Sequence, residues 1–384
     1  LLWQHLFWIF GHPWVYIIVL PAMGMVSMML PTFCRRPLAG YTYVVLSTVL
    51  TGILGFGVWV HHMFATGLPI LALSFFSAVS LTIVIPSGVT VFAWLATLWG
   101  SRPLIRTPML FVLGFISLFV IGGISGVMTA AVPFDWQLTD TYFIVAHIHY
   151  VIVGINVFPV IGAFYYWLPK MTGRMLNERL GRWNFWVMYI GFNVGFFPMH
   201  IAGLLGMPRR IYTYPSGMGW DTVNLISTLG AYLFAVGVLL FIVNYFWSRS
   251  HGEPAGDNPW DAASLEWSVS SPPPEYNFAV IPTVRSRDPL WEDRLGTAAR
   301  SSIHTGPVLA EGRETTATRP LDADDVRVLH MPEDSLWPLI TALALLVLFY
   351  GALLRGWWIA LTGAVVLFIA ISGWLWPSDA TADK

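Results

Sequence analysis

The chain has 384 residues, of which 56% are hydrophobic and only 11% are charged, and its mean hydropathy is +0.65. This composition excludes an ordinary soluble domain and indicates a membrane protein. The net charge of -1 gives no indication of nucleic-acid binding. The single cysteine, Cys34, excludes a disulfide framework and a cysteine-rich metal site within the chain.

Nine apolar runs are close to the length of about 20 residues that crosses a bilayer as a helix. We therefore predict an all-α fold, a polytopic transmembrane helix bundle. The runs lie near 7–30, 43–61, 70–99, 108–130, 142–168, 184–205, 223–247, 336–354 and 357–376. The sequence begins without an initiator methionine and enters a membrane segment directly, so we expect it to be a piece of a longer protein.

The predicted spans fall into three regions. Residues 1–250 hold seven of them, residues 251–335 are polar and rich in proline, and residues 336–384 hold the last two. The middle region cannot cross a membrane, and its composition is typical of extended or weakly ordered chain. Lysine and arginine follow the first, third, fifth and seventh spans, which places those ends and the polar linker in the cytoplasm. Arg209 and Arg210 lie on the other side and break this pattern.

The segment TDTYFIVAHIHYV carries His147 and His149 inside a predicted span. Residues two apart on an α-helix point about 200° apart, so these two imidazoles cannot easily share one metal. Histidine within a membrane indicates a functional site, although hydrogen bonding to a neighbouring helix is the alternative. The functional interpretation is that each histidine is an axial ligand to the iron of a different haem.

A second group comprises His12, in the first span, with His61 and His62 at the end of the second. With the orientation above, these three and the His147/His149 pair all fall in the outer third of the membrane. This shared depth favours one common site. Three imidazoles from two helices suit a copper or zinc ion that keeps a position open for substrate. A histidine pair at a helix end, taken alone, would instead favour a plain polar boundary.

Tyr16, Arg209 and Arg210 are further candidates for the predicted site, and His200 lies outside it. Tyr16 lies four residues after His12 on the same helical face and could donate a proton or an electron at the metal. A tyrosine that only seeks a hydrogen bond is the alternative. Arg209 and Arg210, at the outer surface, suit carboxylates such as haem propionates. His200, in PMHIAG, is interpreted either as structural or as a neighbour of a propionate.

Five segments resemble the second half of the catalytic subunit of haem–copper oxygen reductases, cytochrome c oxidase subunit I. They are WQHLFWIFGHPWVYIIVLP, WVHHMFATG, IPSGVTVFAWLATLWG, DTYFIVAHIHYV and FPMHIAGLLGMPRRIYTYP. They occur in the family's order over residues 1–250, which implies helices VI–XII of that subunit plus two extra spans. The tail, with PPPEYNF, SRDPLWED and MPEDSLWP, resembles bacterial forms whose subunit I carries an extension or is fused toward subunit III.

The resemblance assigns the copper site. It implies that His12, His61 and His62 bind the active-site copper. It also implies that Tyr16 is covalently joined to His12, which makes this pair the predicted catalytic residues.

The resemblance also assigns the remaining cofactors. His147 would be the proximal ligand of a high-spin haem, and His149 one axial ligand of a low-spin haem, both of haem a type. Arg209 and Arg210 would hold haem propionates. Asp140 matches an acidic residue near the family's outer magnesium site.

Four positions depart from the family's pattern. Trp14 replaces the glutamate that commonly gates pumped protons, and Ser87 and Thr90 stand in the motif whose lysine serves the inner proton path. Thr139 replaces the histidine that precedes the aspartate of the magnesium site. We therefore expect the oxygen chemistry to be retained and the proton routes to be altered, so that proton pumping is not assured.

The predicted function is that of a respiratory terminal oxidase of the bacterial plasma membrane. It would take electrons from cytochrome c through a copper centre in subunit II and reduce oxygen to water. Subunit III and membrane lipids are further expected partners. Two alternatives are a nitric oxide reductase on the same scaffold, whose usual forms lack the equivalent of Tyr16, and a transporter without redox cofactors.

Overall fold

The computed structural model describes residues 1–297, 300–303, 306–310, 312–319, 321, 325–332 and 334–376. The helices are α1 (Leu2–Cys34), α2 (Tyr41–Gly57), α3 (Ile70–Thr82), α4 (Val84–Leu98), α5 (Thr107–Ala130), α6 (Val132–Leu138), α7 (Tyr142–His149), α8 (Val157–Thr172), α9 (Glu178–Leu204), α10 (Asp221–His251), α11 (Glu292–Leu295), α12 (Trp337–Leu353) and α13 (Trp357–Leu375). Two strands, β1 (Glu314–Thr318) and β2 (Asp325–His330), form an antiparallel hairpin.

Within the described ranges, eight helical segments are long and apolar enough to cross a membrane. Two of these segments each combine a pair of helices, α3 with α4 and α7 with α8. Helix α12 is apolar but shorter, at 17 residues. The predicted all-α transmembrane bundle is therefore confirmed.

Three of the spans are interrupted by turns that are not α-helical. The second ends in a 3₁₀ turn, Trp59–Met63, and the fifth contains a π turn, Tyr150–Gly154. The third breaks at Ile83 because Pro86 has no N–H to donate to the carbonyl of Thr82, one turn earlier. Such irregular turns are frequent at functional sites.

Aromatic side chains dominate the core of residues 1–274 and 282–303, which form one compact unit. Trp94 of α4 and Phe111, Phe115 and Phe158 of α5 and α8 are fully buried. Small residues let other helices approach closely. A Cβ at Gly230 of α10 would collide with the backbone of α9, so glycine is required there.

The polar stretch after α10 folds against the predicted cytoplasmic ends of the helices. Its Trp260 and Trp267 are buried in the same core cluster as Phe33. The ammonium of Lys170, at the end of α8, donates to the carbonyls of Asp257, Val269 and Ser270 at 2.8, 2.6 and 3.2 Å. The proline-rich composition predicted extended or weakly ordered chain, but these buried anchors hold residues 255–270 in a defined conformation. Local composition does not report such long-range packing.

A second compact unit comprises residues 275–281 and 304–384. It contains the hairpin, with Thr316 opposite Val328, and the helical hairpin of α12 and α13. A Cβ at Gly363 would collide with the backbone of Leu348, so α12 and α13 pack through a small residue. Residues 377–384 of the predicted two-helix appendage lie outside the described residues.

Candidate metal centre

Three imidazoles converge between α1 and the turn that follows α2. Nδ1 of His12 lies 3.1 Å from Nε2 of His62, which lies 3.2 Å from Nε2 of His61. The three candidate ligand atoms all lie within 4.8 Å of one another. Two imidazole nitrogens bound tetrahedrally to one metal at about 2.0–2.1 Å would be about 3.3 Å apart. The arrangement therefore fits a single metal ion.

Neighbouring side chains fix the orientation of the two consecutive histidines. The ring of His62 stacks on Trp8 with centroids 3.9 Å apart. Nδ1 of His61 lies 3.0 Å from the Ser80 hydroxyl, which donates its own proton to the carbonyl of Phe76 at 2.6 Å. Ser80 is thus the acceptor from Nδ1–H, which leaves the lone pair on Nε2 of His61 facing the other two imidazoles.

Tyr16 lies beside His12, with ring centroids 5.1 Å apart. Nε2 of His12 is buried and has no hydrogen-bond partner among the described residues. The Tyr16 ring lies over Gly55 of α2, where a Cβ would come within 2.6 Å of it. The structure therefore brings the two predicted catalytic side chains together, and Gly55 provides the space.

His147, on α7, faces α5. Its Nδ1 lies 3.0 Å from the hydroxyl of Ser125, which donates to the carbonyl of Gly122 at 3.0 Å. A Cβ at Gly126 would lie 2.9 Å from Cε1 of the same imidazole. Because Nδ1–H is donated to Ser125, Nε2 is the nitrogen left to bind a metal.

His149 faces the opposite side of α7. Its ring stacks on Phe196 of α9 with centroids 4.4 Å apart, and its Nδ1 donates to the carbonyl of Val145 at 2.7 Å. Nε2 is again the nitrogen left for a metal. The two histidines therefore contact different helices, as their spacing predicts, and each has the tautomer that axial ligation of haem iron requires.

Two loops meet at the predicted outer end of α7. The carbonyl of Asp140 accepts a hydrogen bond from the backbone N–H of Arg209 at 2.8 Å, and its carboxylate lies 3.5 Å from the Arg210 guanidinium. Tyr142 donates to the carbonyl of Met207 at 2.9 Å. Burial and the neighbouring Arg210 lower the pKa of Arg209. The loops therefore place both arginines beside the helix that carries the two histidines.

Asp140 is not part of a cluster of three or more metal-capable side chains in the described part of the chain. Its side chain is largely exposed, at 66%. Among the described residues, Asp140 pairs with Arg210 and belongs to no group of three side chains that could hold a magnesium ion.

Two further buried polar groups lie near these loops, Asp135, to which the sequence analysis gave no role, and His200, which it interpreted as structural or as a neighbour of a propionate. Asp135, on α6, is 4% exposed and its Oδ2 has no partner among the described residues. Burial, with a smaller contribution from Asp140, raises the pKa of its carboxyl to about 7. Nε2 of His200 is also buried and unpartnered within the described chain, and the ring lies against Phe143 and Tyr150. In the sequence, the position of Asp135 between the aromatic residues of PFDWQL is the signal that could have identified it as buried.

The positions that depart from the family's proton routes differ in burial. Trp14 is 41% exposed on α1, whereas Thr90 on α4 is fully buried. The hydroxyls of Ser87 and Thr90 donate to the carbonyls of Ile83 and Pro86 one turn earlier. Tryptophan has no group that relays protons, whereas a buried hydroxyl can do so with water.

The chain is similar in sequence to known proteins. The family model for Cytochrome C and Quinol oxidase polypeptide I matches residues 1–233. Cytochrome c oxidase subunit 1 of Bacillus subtilis (strain 168) is 46% identical over 374 residues, covering 96% of this chain and 56% of the relative. Quinol oxidase subunit 1 of Bacillus spizizenii (strain ATCC 23059 / NRRL B-14472 / W23) is 41% identical over 374 residues, covering 97% and 54%. The chain thus spans about half the length of the curated relatives it matches.

A solved structure described as a cryo-EM structure of a heme-copper terminal oxidase dimer also matches. The match covers 64% of this chain and 49% of the other, with a TM-score of 0.59 and 21% sequence identity. At this identity the likeness concerns the fold alone.

Proposed function

The chain belongs to the family of cytochrome c and quinol oxidase polypeptide I, as its five motifs predict, and from this premise we propose that it forms the catalytic part of a terminal oxidase that reduces oxygen to water. It is a multi-pass bacterial membrane protein, in agreement with its relatives and its apolar helices. The single observation that carries the proposal is the convergence of Nδ1 of His12 and Nε2 of His61 and His62 beside Tyr16.

The donor set fits copper. Three neutral imidazoles are suitable ligands for this metal, and Ser80 holds one of them in the tautomer that ligation needs. Nε2 of His12 has no hydrogen-bond partner among the described residues, and the Tyr16 ring lies edge-on to the His12 ring with centroids 5.1 Å apart, which supports the proposed bond between these two side chains. Tyr16 would give up a proton and an electron during the reaction and recover both before the next one.

The two histidines of α7 fit two haems. Nε2 of His147 would bind the high-spin haem and Nε2 of His149 the low-spin haem, for which we propose haem a type. Gly126 leaves room beside the His147 ring. Arg209 and Arg210 would hold haem propionates, and Asp140 would lie near a magnesium ion. When bound, copper and the two haems supply electron transfer to oxygen.

We further propose that cytochrome c is the electron donor, through a copper centre in subunit II, with subunit III and membrane lipids as additional partners. Support comes from the cytochrome c oxidase relative at 46% identity, compared with 41% for the quinol oxidase. Whether protons are pumped depends on a route other than Trp14, because tryptophan cannot relay a proton.

The test uses the full-length subunit in its complex, reconstituted in sealed vesicles. Oxygen and nitric oxide consumption are measured with reduced cytochrome c or with a quinol, while the external pH is recorded. Oxygen uptake with cytochrome c is expected, and outward proton release reports pumping. Uptake with quinol alone overturns the donor assignment, and nitric oxide turnover without oxygen turnover overturns the oxidase assignment.

The metal assignment is tested separately by elemental analysis of the same complex. His61→Asn should lose copper and retain iron, because it removes one of three ligands. His200→Asn, a buried histidine outside the triad, is the matched control and should retain both metals. Equal copper contents in the two variants would contradict the triad.

A further inference from the structure

We propose that a cavity between the predicted cytoplasmic ends of α8 and α10 binds the phosphate group of an anionic phospholipid, with Arg174 and Arg249 as its cationic groups. The inference goes beyond the proposed function and does not depend on the redox chemistry. The cavity has a volume of about 380 Å³, within the range of small-molecule sites. It is lined by Met171, Thr172, Arg174, Tyr245, Arg249 and Pro272.

The lining of the cavity carries two positive charges and no carboxylate. Arg174 and Arg249 both line it, and none of the described residues that line it is aspartate or glutamate. Neither guanidinium forms an ion pair with a described residue. Arg35 and Arg294, by contrast, share the carboxylate of Asp261. Two like charges that face one cavity repel each other, and an anion placed between them removes that repulsion. The charge of the cavity therefore favours an anionic ligand.

Hydrogen bonds hold Arg174 in place at the rim of the cavity. Its Nη1 donates to the carbonyl of Gly252, just after α10, at 3.0 Å, and its backbone forms a bridge with Pro254. Its backbone N–H donates to the hydroxyl of Thr172 at 3.3 Å. The other N–H groups of the guanidinium stay available, and arginine binds phosphate oxygens through two parallel N–H donors. The side chain is thus anchored while it keeps donors for an anion.

Tyr245 and Arg249 supply donors from the last turns of α10. They are four residues apart and therefore lie on one face of the helix. Neither the Arg249 guanidinium nor the Tyr245 hydroxyl has a hydrogen-bond partner among the described residues. Both groups can donate to a phosphate oxygen. The cavity therefore offers donors to one anion from both of its sides.

An apolar surface leads from the cavity toward the middle of the membrane. Met171 lines the cavity and is exposed, and Phe164, seven residues earlier on the same face of α8, is exposed as well. These two residues are about 10 Å apart along the helix axis. The Phe164 ring stacks on Phe241 of α10 with centroids 5.7 Å apart, and the next residue, Ile242, is exposed. An acyl chain can lie along this surface.

The level of the cavity in the membrane distinguishes a lipid from a soluble anion. Anionic lipids concentrate in the cytoplasmic leaflet, where they attract basic residues at the ends of membrane helices. Tyrosine and tryptophan, here Tyr245 and Trp247, are typical of the level of the lipid headgroups. A phospholipid carries its phosphate and its acyl chains in one molecule, so it can occupy the cavity and the apolar surface together. A free phosphate ion would use the cavity alone.

The test uses the complete complex, stripped of lipid in detergent and titrated with phosphatidylglycerol or phosphatidylcholine. Native mass spectrometry counts the bound lipid. Arg249→Gln removes the charge at similar length, and Arg179→Gln, at an exposed position of α9 outside the cavity, is the matched control because it changes the net charge equally. We expect Arg249→Gln to weaken the binding of one phosphatidylglycerol by about fivefold to tenfold, and Arg179→Gln to match wild type.

Met171→Gln tests the apolar part of the site independently and should also weaken the binding of phosphatidylglycerol. Equal binding of phosphatidylglycerol by wild type and Arg249→Gln would overturn the proposal, as would equal affinities of wild type for the two lipids. Displacement of the lipid by millimolar inorganic phosphate would show a site for a free anion and would likewise overturn it.

A high-resolution structure of the complete complex provides a second measurement. A phospholipid phosphate between Arg174 and Arg249 is the expected result, and a protein segment that fills the cavity would contradict the proposal. Absence of oxygen reduction by wild type would refute only the proposed function, because lipid binding is measured without turnover.

Discussion

The Ser125 hydroxyl lies 3.0 Å from Nδ1 of His147 and donates its own proton to the carbonyl of Gly122. Because the Ser125 hydroxyl donates its proton to Gly122, its oxygen can only accept the hydrogen bond from Nδ1–H of His147. The imidazole is thereby fixed in the tautomer whose Nε2 is free. A metal ligand held in this way is oriented and made more basic by its partner.

Ser125→Ala should weaken the bond between His147 and the high-spin haem. The variant removes the acceptor of Nδ1–H, so the iron–histidine stretching frequency measured by resonance Raman spectroscopy should fall, and haem affinity should drop by about 10–100-fold. Ser125→Thr keeps the hydroxyl and should preserve the frequency. Ser117→Ala, on the same helix, is the control, and an unchanged frequency in Ser125→Ala would contradict the assignment.

Gly126→Ala should displace the His147 ring. The added Cβ would lie 2.9 Å from Cε1, closer than two unbonded carbon atoms can approach. We expect the full-length complex to lose most of one of its two haems, measured as the pyridine haemochrome. Gly123→Ala is the matched control because a Cβ there meets nothing within 4 Å. Full haem content in both variants would show that the ring can move aside.

Ser80→Ala should weaken copper binding. The hydroxyl accepts from Nδ1–H of His61 at 3.0 Å, and loss of such a partner typically reduces metal affinity by about 10–100-fold. Chelator titration followed by elemental analysis of the complex measures the change. Ser74→Ala, at an exposed position of the same helix, should leave copper retention unchanged. Equal retention in both variants would refute a role for Ser80.

Lys170→Met should release the segment that follows α10. The substitution leaves the carbonyls that accept from Lys170 without their donor, at a cost of about 3 kcal/mol or more. We expect limited proteolysis within residues 255–270 to become faster. Arg179→Ala, at an exposed position, should be cleaved at the wild-type rate. Unchanged cleavage of Lys170→Met would mean that the buried Trp260 and Trp267 hold the segment in place without Lys170.

Asp135→Asn should stabilise the complex strongly at pH 8 and hardly at pH 4. Burial raises the pKa of the Asp135 carboxyl from 3.8 to about 7, so the folded state retains a proton that the unfolded chain releases. Stability contributed by this group is therefore lost as pH rises between these values, by up to about 4 kcal/mol. Thermal unfolding at both pH values measures the difference. Asp221→Asn, at an exposed position, is the control variant.

The sequence alone determined the bundle, the family and the identity of the histidines. Bilayer thickness sets the length of an apolar span, so the spans could be predicted by counting residues. The turn angle of a helix likewise determined that His147 and His149 face different neighbours, as their contacts with α5 and α9 show. The expected weak order does not hold for residues 255–270, because buried anchors such as Trp260 and Trp267 are few among polar residues and do not stand out in the composition.

Only the tertiary structure decided which nitrogen of each imidazole is free, and which hydroxyl fixes it. Ser80 and Ser125 are 19 and 22 residues from the histidines they contact, on other helices. It also decided that the Thr51 hydroxyl is buried with no hydrogen-bond partner among the described residues and that Asp135 is removed from water. The physical reason is that hydrogen bonds between helices depend on the rotation and depth of each helix, which arise from packing of the whole bundle and not from local sequence pattern.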